Sequence, residues 1–586
     1  MSRASSIVVA SISLIALQLG PAAMADVSVR GDSGLNSKVN GQRDGSCKAG
    51  VCRVSGGRRG GRQKKILFHR LSELDTRGDR IKKIKLNIGD RKTKSVIVGV
   101  TNRKGSYLTT PFVLSGKADL ILLSPGGVQM NGATFKNTNH LSLAATSHFK
   151  MGDGVFDIFK TSADYLNDLS LADETPLSAR ADQLLSDFSS SPIDDNHGQS
   201  LKGSIKISDR LSVDGDLLVV AKQPIKLKRA QLDINGDLFL ESRLLDAADN
   251  AVNRDVDKNK NIQNMILFNT VDAEIAGDVD VISKSGVSDR SYRGLLISGS
   301  DLSVDGNFVA STQASSQSPF DFSRGIVITN GTDLKAGSID LTGRGGNSSR
   351  RRKHQGIKIA NSKLYSDQDL TLKGFGGDGR QYVDGVLLHR ANLHAENGRL
   401  VVEGRGGNNA GFIMDGIRLL GNVSLWAGSD LFLAGKAGES RSPNTGTGIY
   451  VNGQKSGASI HAHRVEIVGI GADRDLESPW PKKVNKKVLQ TVGVDVDNLA
   501  VHATSAVSIK GKGGFGNQLL DGVNFRNVNI QTDGNIVLKG VSGYSDTFKK
   551  SAGIFLDQFN LSAKNAKFIG RHASSNEALK GKQLDG

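Results

Sequence analysis

Large aromatic side chains are scarce in this sequence, at 5% of 586 residues, and there are only 10 prolines and two cysteines. A thick globular enzyme core draws heavily on aromatics, so their scarcity argues for stacked short strands instead. Two cysteines are too few for a disulfide-stapled scaffold or a cysteine-built metal site. No stretch approaches the ~20 apolar residues of a membrane-spanning helix. Glycine, by contrast, is abundant at 70 residues, and the formal net charge is +17. Such a charge suits polyanionic partners such as surface polysaccharide, lipopolysaccharide or nucleic acid, or it simply keeps a long exposed surface soluble.

The glycines are periodic. In Gly356–Gly377 three short alternating runs occur, Gly356-Ile-Lys-Ile, Lys363-Leu-Tyr and Asp369-Leu-Thr-Leu, closed by Gly-x-Gly-Gly. Alternation over four or five positions marks a half-buried strand, and the glycines are expected to supply the backbone conformations of the corners. The leading glycine recurs at 294, 325, 356, 385, 416, 448, 493, 522 and 553, mostly every 29 to 32 residues, with one interval of 45. The closing glycine keeps step at 343, 374, 404, 435, 469, 511, 540 and 570. Two landmarks in phase imply a stacked repeat. Three strands per repeat predict an all-β fold, a right-handed parallel β-helix (solenoid) with protruding loops. In the register expected, Ile357, Ile359, Leu370 and Leu372 point inward and stack on Val386, Leu388, Leu400 and Val402.

Met1–Ala25 reads as a secretory signal peptide, with Arg3 as its positive start, Ile7–Leu19 as its apolar core and Ala23-Met24-Ala25 as a cleavage site. The chain is therefore expected to be exported, with secreted or extracellular, outer-membrane-associated localisation. In that compartment Cys47 and Cys52 suggest a small disulfide loop, a free pair being the alternative.

Three stretches carry a family resemblance. The first is VSGGRRGGRQKKILFHRLSELDTRGDRIKKIKL (Val54–Leu86), with Leu67-Phe68-His69 at its centre. The second is Lys117–Gly154, which contains Ser124-Pro125-Gly126-Gly127, and the third is Ser191–Ser242. In this order behind a signal peptide they resemble the secretion (haemagglutination-activity) domain of filamentous-haemagglutinin-like exoproteins of two-partner secretion. The resemblance covers roughly Asp26–Leu245. Where that family has Asn-Pro-Asn-Gly and Leu-Phe-His-Ser-Phe, this chain has Ser124-Pro125-Gly126-Gly127 and Leu67-Phe68-His69-Arg70-Leu71. A diverged transporter and a poorly secreted copy both remain open. The resemblance implies export by an outer-membrane partner transporter and a role as an adhesin.

The organisation expected is a signal peptide (1–25), a two-partner secretion domain (26–245), irregular coils with a loop (246–293), repeats (294–570) and a polar tail (571–586). Leu177–Phe188 has helical spacing and is expected to flank the sheet. Variation concentrates after the Gly-x-Gly-Gly corner, so the insertions are expected on one face. Basic runs there make Arg350, Arg351, Arg352, Lys353, Lys482 and Lys483 candidate polyanion contacts, with solvated loop charge as the plain alternative. The partners expected are a cell-surface glycan or polyanion and the transporter, with no nucleic acid, no transmembrane segment and a monomeric chain. No catalytic residue, metal or cofactor is expected. Asp194-Asp195 with His197 is the nearest carboxylate pair to an enzyme-like cluster, and His461 with His463 the nearest metal-like pair. The function expected is an adhesin-like exoprotein. The alternatives are a β-helical polysaccharide-active enzyme or a truncated passenger of a larger surface protein; the polar tail argues against a C-terminal membrane barrel.

Overall fold

The computed structural model describes residues 27–61, 64–89, 92–152, 154–160, 164–169, 176–185, 203–244, 262–285, 291–314, 323–347, 353–379, 381–408, 413–439, 446–472, 490–515, 519–544 and 551–572. The chain is all-β, with 66% strand and 4% helix, and its long sheet is mostly parallel. The expected signal peptide, the loop at 246–261 and the tail from 573 lie outside the described residues.

Each repeat contributes three strand segments, and each segment pairs in parallel with its counterpart one repeat later. In the first row Ile357 pairs with Val386 and Ile359 with Leu388; in the third, Leu370 pairs with Leu400 and Leu372 with Val402. All eight side chains are fully buried. This is the register that alternation predicts, because a slip of one residue would turn every apolar side chain outward. The ladder continues without a break to Gly540↔Gly570, and it already runs through Ile262–Asn269, which lies before Gly294 and pairs with Ser291–Ser298. One continuous apolar core extends from Val29 to Leu538.

The glycines do something other than what the sequence suggests. Neither the leading nor the closing set contains a left-handed residue. The left-handed corner lies between the first and second strands, at Asn330, Asn361, Arg390, Asn498 and Asn527, with φ of 50–62°. Asparagine tolerates that conformation well. The glycines instead permit close approach. A Cβ on Gly374 would lie 2.1 Å from the Gly385 carbonyl oxygen, and one on Gly356 would lie 2.3 Å from the Phe375 amide nitrogen. The closing glycines form an uninterrupted row from Gly343 to Gly570. Opposite them run the leading glycines, whose carbonyls accept from the next residue of the repeat before, as Gly416 does from Val386 at 3.0 Å. Two backbones therefore meet where any side chain would hold them apart.

The N-terminal part differs in two ways. Strands Val29–Gly31 and Arg58–Gly60 pair antiparallel with Ile66–Leu74, so this end departs from the parallel repeat. In addition, the third-row strands here are covered on both faces. Ile121, Leu123, Leu218, Val220 and Phe239 form a second core on the outer face. The helix Leu177–Leu185 seals it with Ala181, Leu184 and Leu185. A strand buried on both faces reads as a continuous apolar run, which is why Leu120-Ile121-Leu122-Leu123 lacks alternation.

Candidate export module and binding surface

Leu67, Phe68 and His69 lie in the strand Ile66–Leu74, and none reaches solvent. Leu67 enters the main core and Phe68 the second one, where its ring meets Phe156 at 4.9 Å between centroids. His69 is completely buried with Nδ1 3.3 Å from Ser37 Oγ. Burial pushes its pKa down to about 4, so the imidazole is neutral at physiological pH. The next residue, Arg70, acts as a clasp. Its guanidinium donates to Asp32 Oδ1 at 2.6 Å and to the Lys160 carbonyl at 2.8 Å, tying the N-terminal strands to the segment that follows the hairpin at His148–Asp157. This segment organises the module from within.

Ser124-Pro125-Gly126-Gly127 forms the turn between Phe112–Leu123 and Val128–Asn131. Ser124 Oγ donates to the Gly127 carbonyl at 2.8 Å and accepts from Ser106 Oγ at 2.9 Å. Gly127 has φ of 104°, and a Cβ on Gly126 would lie 2.3 Å from the Arg103 carbonyl oxygen. The serine hydroxyl thus closes the turn through its own hydrogen bonds. Cys47 and Cys52 are joined in a disulfide with Cα atoms 5.6 Å apart.

Of the basic loop residues only Lys353 is described. Its ammonium stands 4.9 Å from the centroid of the Tyr382 ring, a cation–π contact. Arg350, Arg351, Arg352, Lys482 and Lys483 lie outside the described residues, as do Asp194, Asp195 and His197. His461 and His463 both face outward on either side of buried Ala462, and His463 Nδ1 is 2.9 Å from Thr504 Oγ1. Among the described residues no three potential metal ligands gather. No helix among them is long and apolar enough to cross a membrane.

Three features of the repeats are not singled out by the sequence reading. In five successive repeats the residue before the leading glycine is polar and buried: Arg324, Gln355, Asp384, Asp415 and Thr447. Gln355 Nε2 donates to Asp384 Oδ2 at 2.9 Å, and Asp415 Oδ1 accepts from the Thr447 amide at 2.9 Å. Burial, reinforced by the neighbouring Asp384, pushes Asp415 up to about 7, against the pull of Arg418. Both carboxyls are closed to solvent, so they serve the packing beneath the corner loops.

A second feature is an aromatic file on the outer face of the second row: Tyr365, His394, Trp426, His461 and His502 are successive register partners. His394 stacks on Trp426 at 4.0 Å and 12°, and on Tyr365 at 5.0 Å and 19°. Glu396 anchors it by accepting from Tyr365 OH at 3.1 Å and bonding His394 Nε2 at 2.7 Å. Tyr365, His394 and Trp426 thus stack face to face, whereas His461 and His502 are tilted at 5.8 Å and 44°.

The third feature is the middle residue of Gly-x-Gly-Gly, which points outward in every repeat and is a cation at most of them. Its fixed phase beside two glycines was the signal in the sequence.

No family model matches the chain, and neither a curated protein nor a solved structure does.

Proposed function

We propose that the chain is a right-handed parallel β-helix that works as an adhesin-like exoprotein. In this reading Asp26–Leu245 directs export through an outer-membrane partner transporter, and the rod beyond it meets cell surfaces as a monomer. The observation that carries the fold is the unbroken parallel pairing of the described strands from Ile262 onward, each with its counterpart in the next repeat. A parallel crossover between such segments is right-handed in nearly all proteins. The export reading is supported by residues: the signal-like N-terminus, Leu67-Phe68-His69, and a turn at Ser124–Gly127 in the order of the secretion domains they resemble. An N-terminal end with antiparallel strands suits a segment that leaves the transporter first and templates the repeats behind it.

The test is deletion of Asp26–Leu245 in cells that also make the partner barrel. The deleted protein should lose its signal peptide normally and accumulate in the periplasm. Undiminished release past the outer membrane would remove the two-partner reading.

A further inference from the structure

We propose that the outward residue of the Gly-x-Gly-Gly corner builds a cationic row that binds a linear acidic polysaccharide. The inference deepens the adhesin reading, on which it rests, by placing the contact on the sheet itself and not only in the loops.

The row follows from register. Position x is Arg344, Phe375, Arg405, Lys436, Ile470, Lys512, Val541 and Arg571, each paired with the next. The five cations are exposed, and among the described residues none is held in an ion pair. A buried glycine precedes Arg344, Arg405, Lys436 and Lys512 and packs each of those backbones against the next repeat, whereas Gly570, before Arg571, is exposed. Two residues back on the same strands, Lys373, Lys510 and Lys539 add further cations in a row that also holds Glu403 beside Lys373, and Lys510 is paired with Glu466 at 2.8 Å. Parallel neighbours stand ~4.8 Å apart, so eight positions give a line of roughly 34 Å.

Two properties select the ligand. The charges recur in register along one row of parallel strands, which fits a single extended polymer with anions along its length. Between the cations sit Phe375, Ile470 and Val541, all half-buried, and Arg344 already lays its guanidinium over the Phe375 ring at 4.0 Å. Apolar patches between cations suit the carbon faces of sugar rings. A nucleic-acid duplex would present only phosphates to this line, along a curved path. Guanidinium groups also match carboxylates in bidentate geometry. A uronic-acid polysaccharide therefore fits best.

The experiment uses the full chain, immobilised, with polygalacturonate as probe at low and physiological salt. Replacing Arg405, Lys436 and Lys512 together by serine should weaken binding about tenfold and flatten its salt dependence. Replacing Lys82, Lys83 and Lys85 by serine removes the same charge from exposed positions elsewhere and should leave affinity within about twofold. Unchanged melting of both variants checks the fold, since all six side chains point to solvent. Equal losses in the two variants, or no loss in the first, would overturn the row. So would duplex DNA or neutral dextran competing better than polygalacturonate. If serines at Arg350–Lys353 abolished binding while the row variant kept it, the contact would belong to the loops. The adhesin reading would then survive without this inference, and export, scored separately in cells, is untouched by either result.

Discussion

The facing glycine rows make a sharp prediction at Gly404. A Cβ there would lie 2.1 Å from the Gly416 carbonyl oxygen, 2.6 Å from its carbon and 2.8 Å from Ile417 Cγ1. Ordinary contact begins near 3.4 Å, so Gly404→Ala must drive the two backbones apart by more than 1 Å. The oxygen that moves accepts the Val386 amide at 3.0 Å, and a shift of that size breaks the bond. Overpacking costs about 1–3 kcal/mol and a lost backbone hydrogen bond about 1 kcal/mol, so the total is roughly 2–4 kcal/mol. Gly570→Ala is the internal control. It occupies the same place in the repeat, but its nearest neighbours stand 3.6 Å or more away, because no further repeat in the described structure packs on it. It should cost under about 0.5 kcal/mol. Repeat arrays open locally, so amide exchange across Leu400–Arg405 and Ile417–Leu420 is the proper assay, with denaturant midpoints beside it. Equal protection in the two variants would refute close backbone approach as the reason for the glycines.

Two further outcomes follow from the same packing. Leu370→Asp places a carboxylate at a completely buried position facing Leu400, which should cost more than the about 2–7 kcal/mol of an unpaired neutral polar group and abolish the cooperative melt; an unaltered melt would contradict the register. Asp415 is an acid whose folded pKa is raised to about 7, so its protonated form is the one the fold favours. Its contribution is complete below the unfolded value near 4 and is lost as pH rises towards 7, on the order of a few kcal/mol in all. Asp415→Asn should therefore melt like the wild type at pH 4 and several degrees higher at pH 8; a wild-type melting temperature independent of pH over that range would contradict it.

Much of this architecture was legible in the sequence, and the reasons are local. Ile357, Ile359, Leu370 and Leu372 alternate with polar residues because only one face of each strand is buried, so both their direction and their partners could be read. The helix at Leu177–Leu185 was visible as a 3.6-residue period. What alternation cannot show is how near two backbones come. Gly356 and Gly374 looked like corner residues, whereas the left-handed corner belongs to Asn361 and, at the equivalent place, to Arg390, whose identity gives little warning. Nor does a motif reveal its own burial. His69 reads as part of a motif shared with secretion domains, and it sits in the core. The cations at Arg405, Lys436 and Lys512 were in plain sight but become a row only once register aligns them.

The account stands on that register, and paired cysteines measure it directly. Thr371 and Val401 are outward-facing partners in adjacent repeats, whereas Thr371 and Phe432 are two repeats apart. Parallel neighbours at ~4.8 Å fall within disulfide reach, and strands at roughly twice that spacing do not. Under mild oxidation the full chain carrying Thr371→Cys and Val401→Cys should form the 371–401 bridge quantitatively without loss of the native melt. The chain carrying Thr371→Cys and Phe432→Cys should keep both thiols free. A 371–432 bridge, or the failure of the 371–401 one, would contradict the stacked parallel repeat.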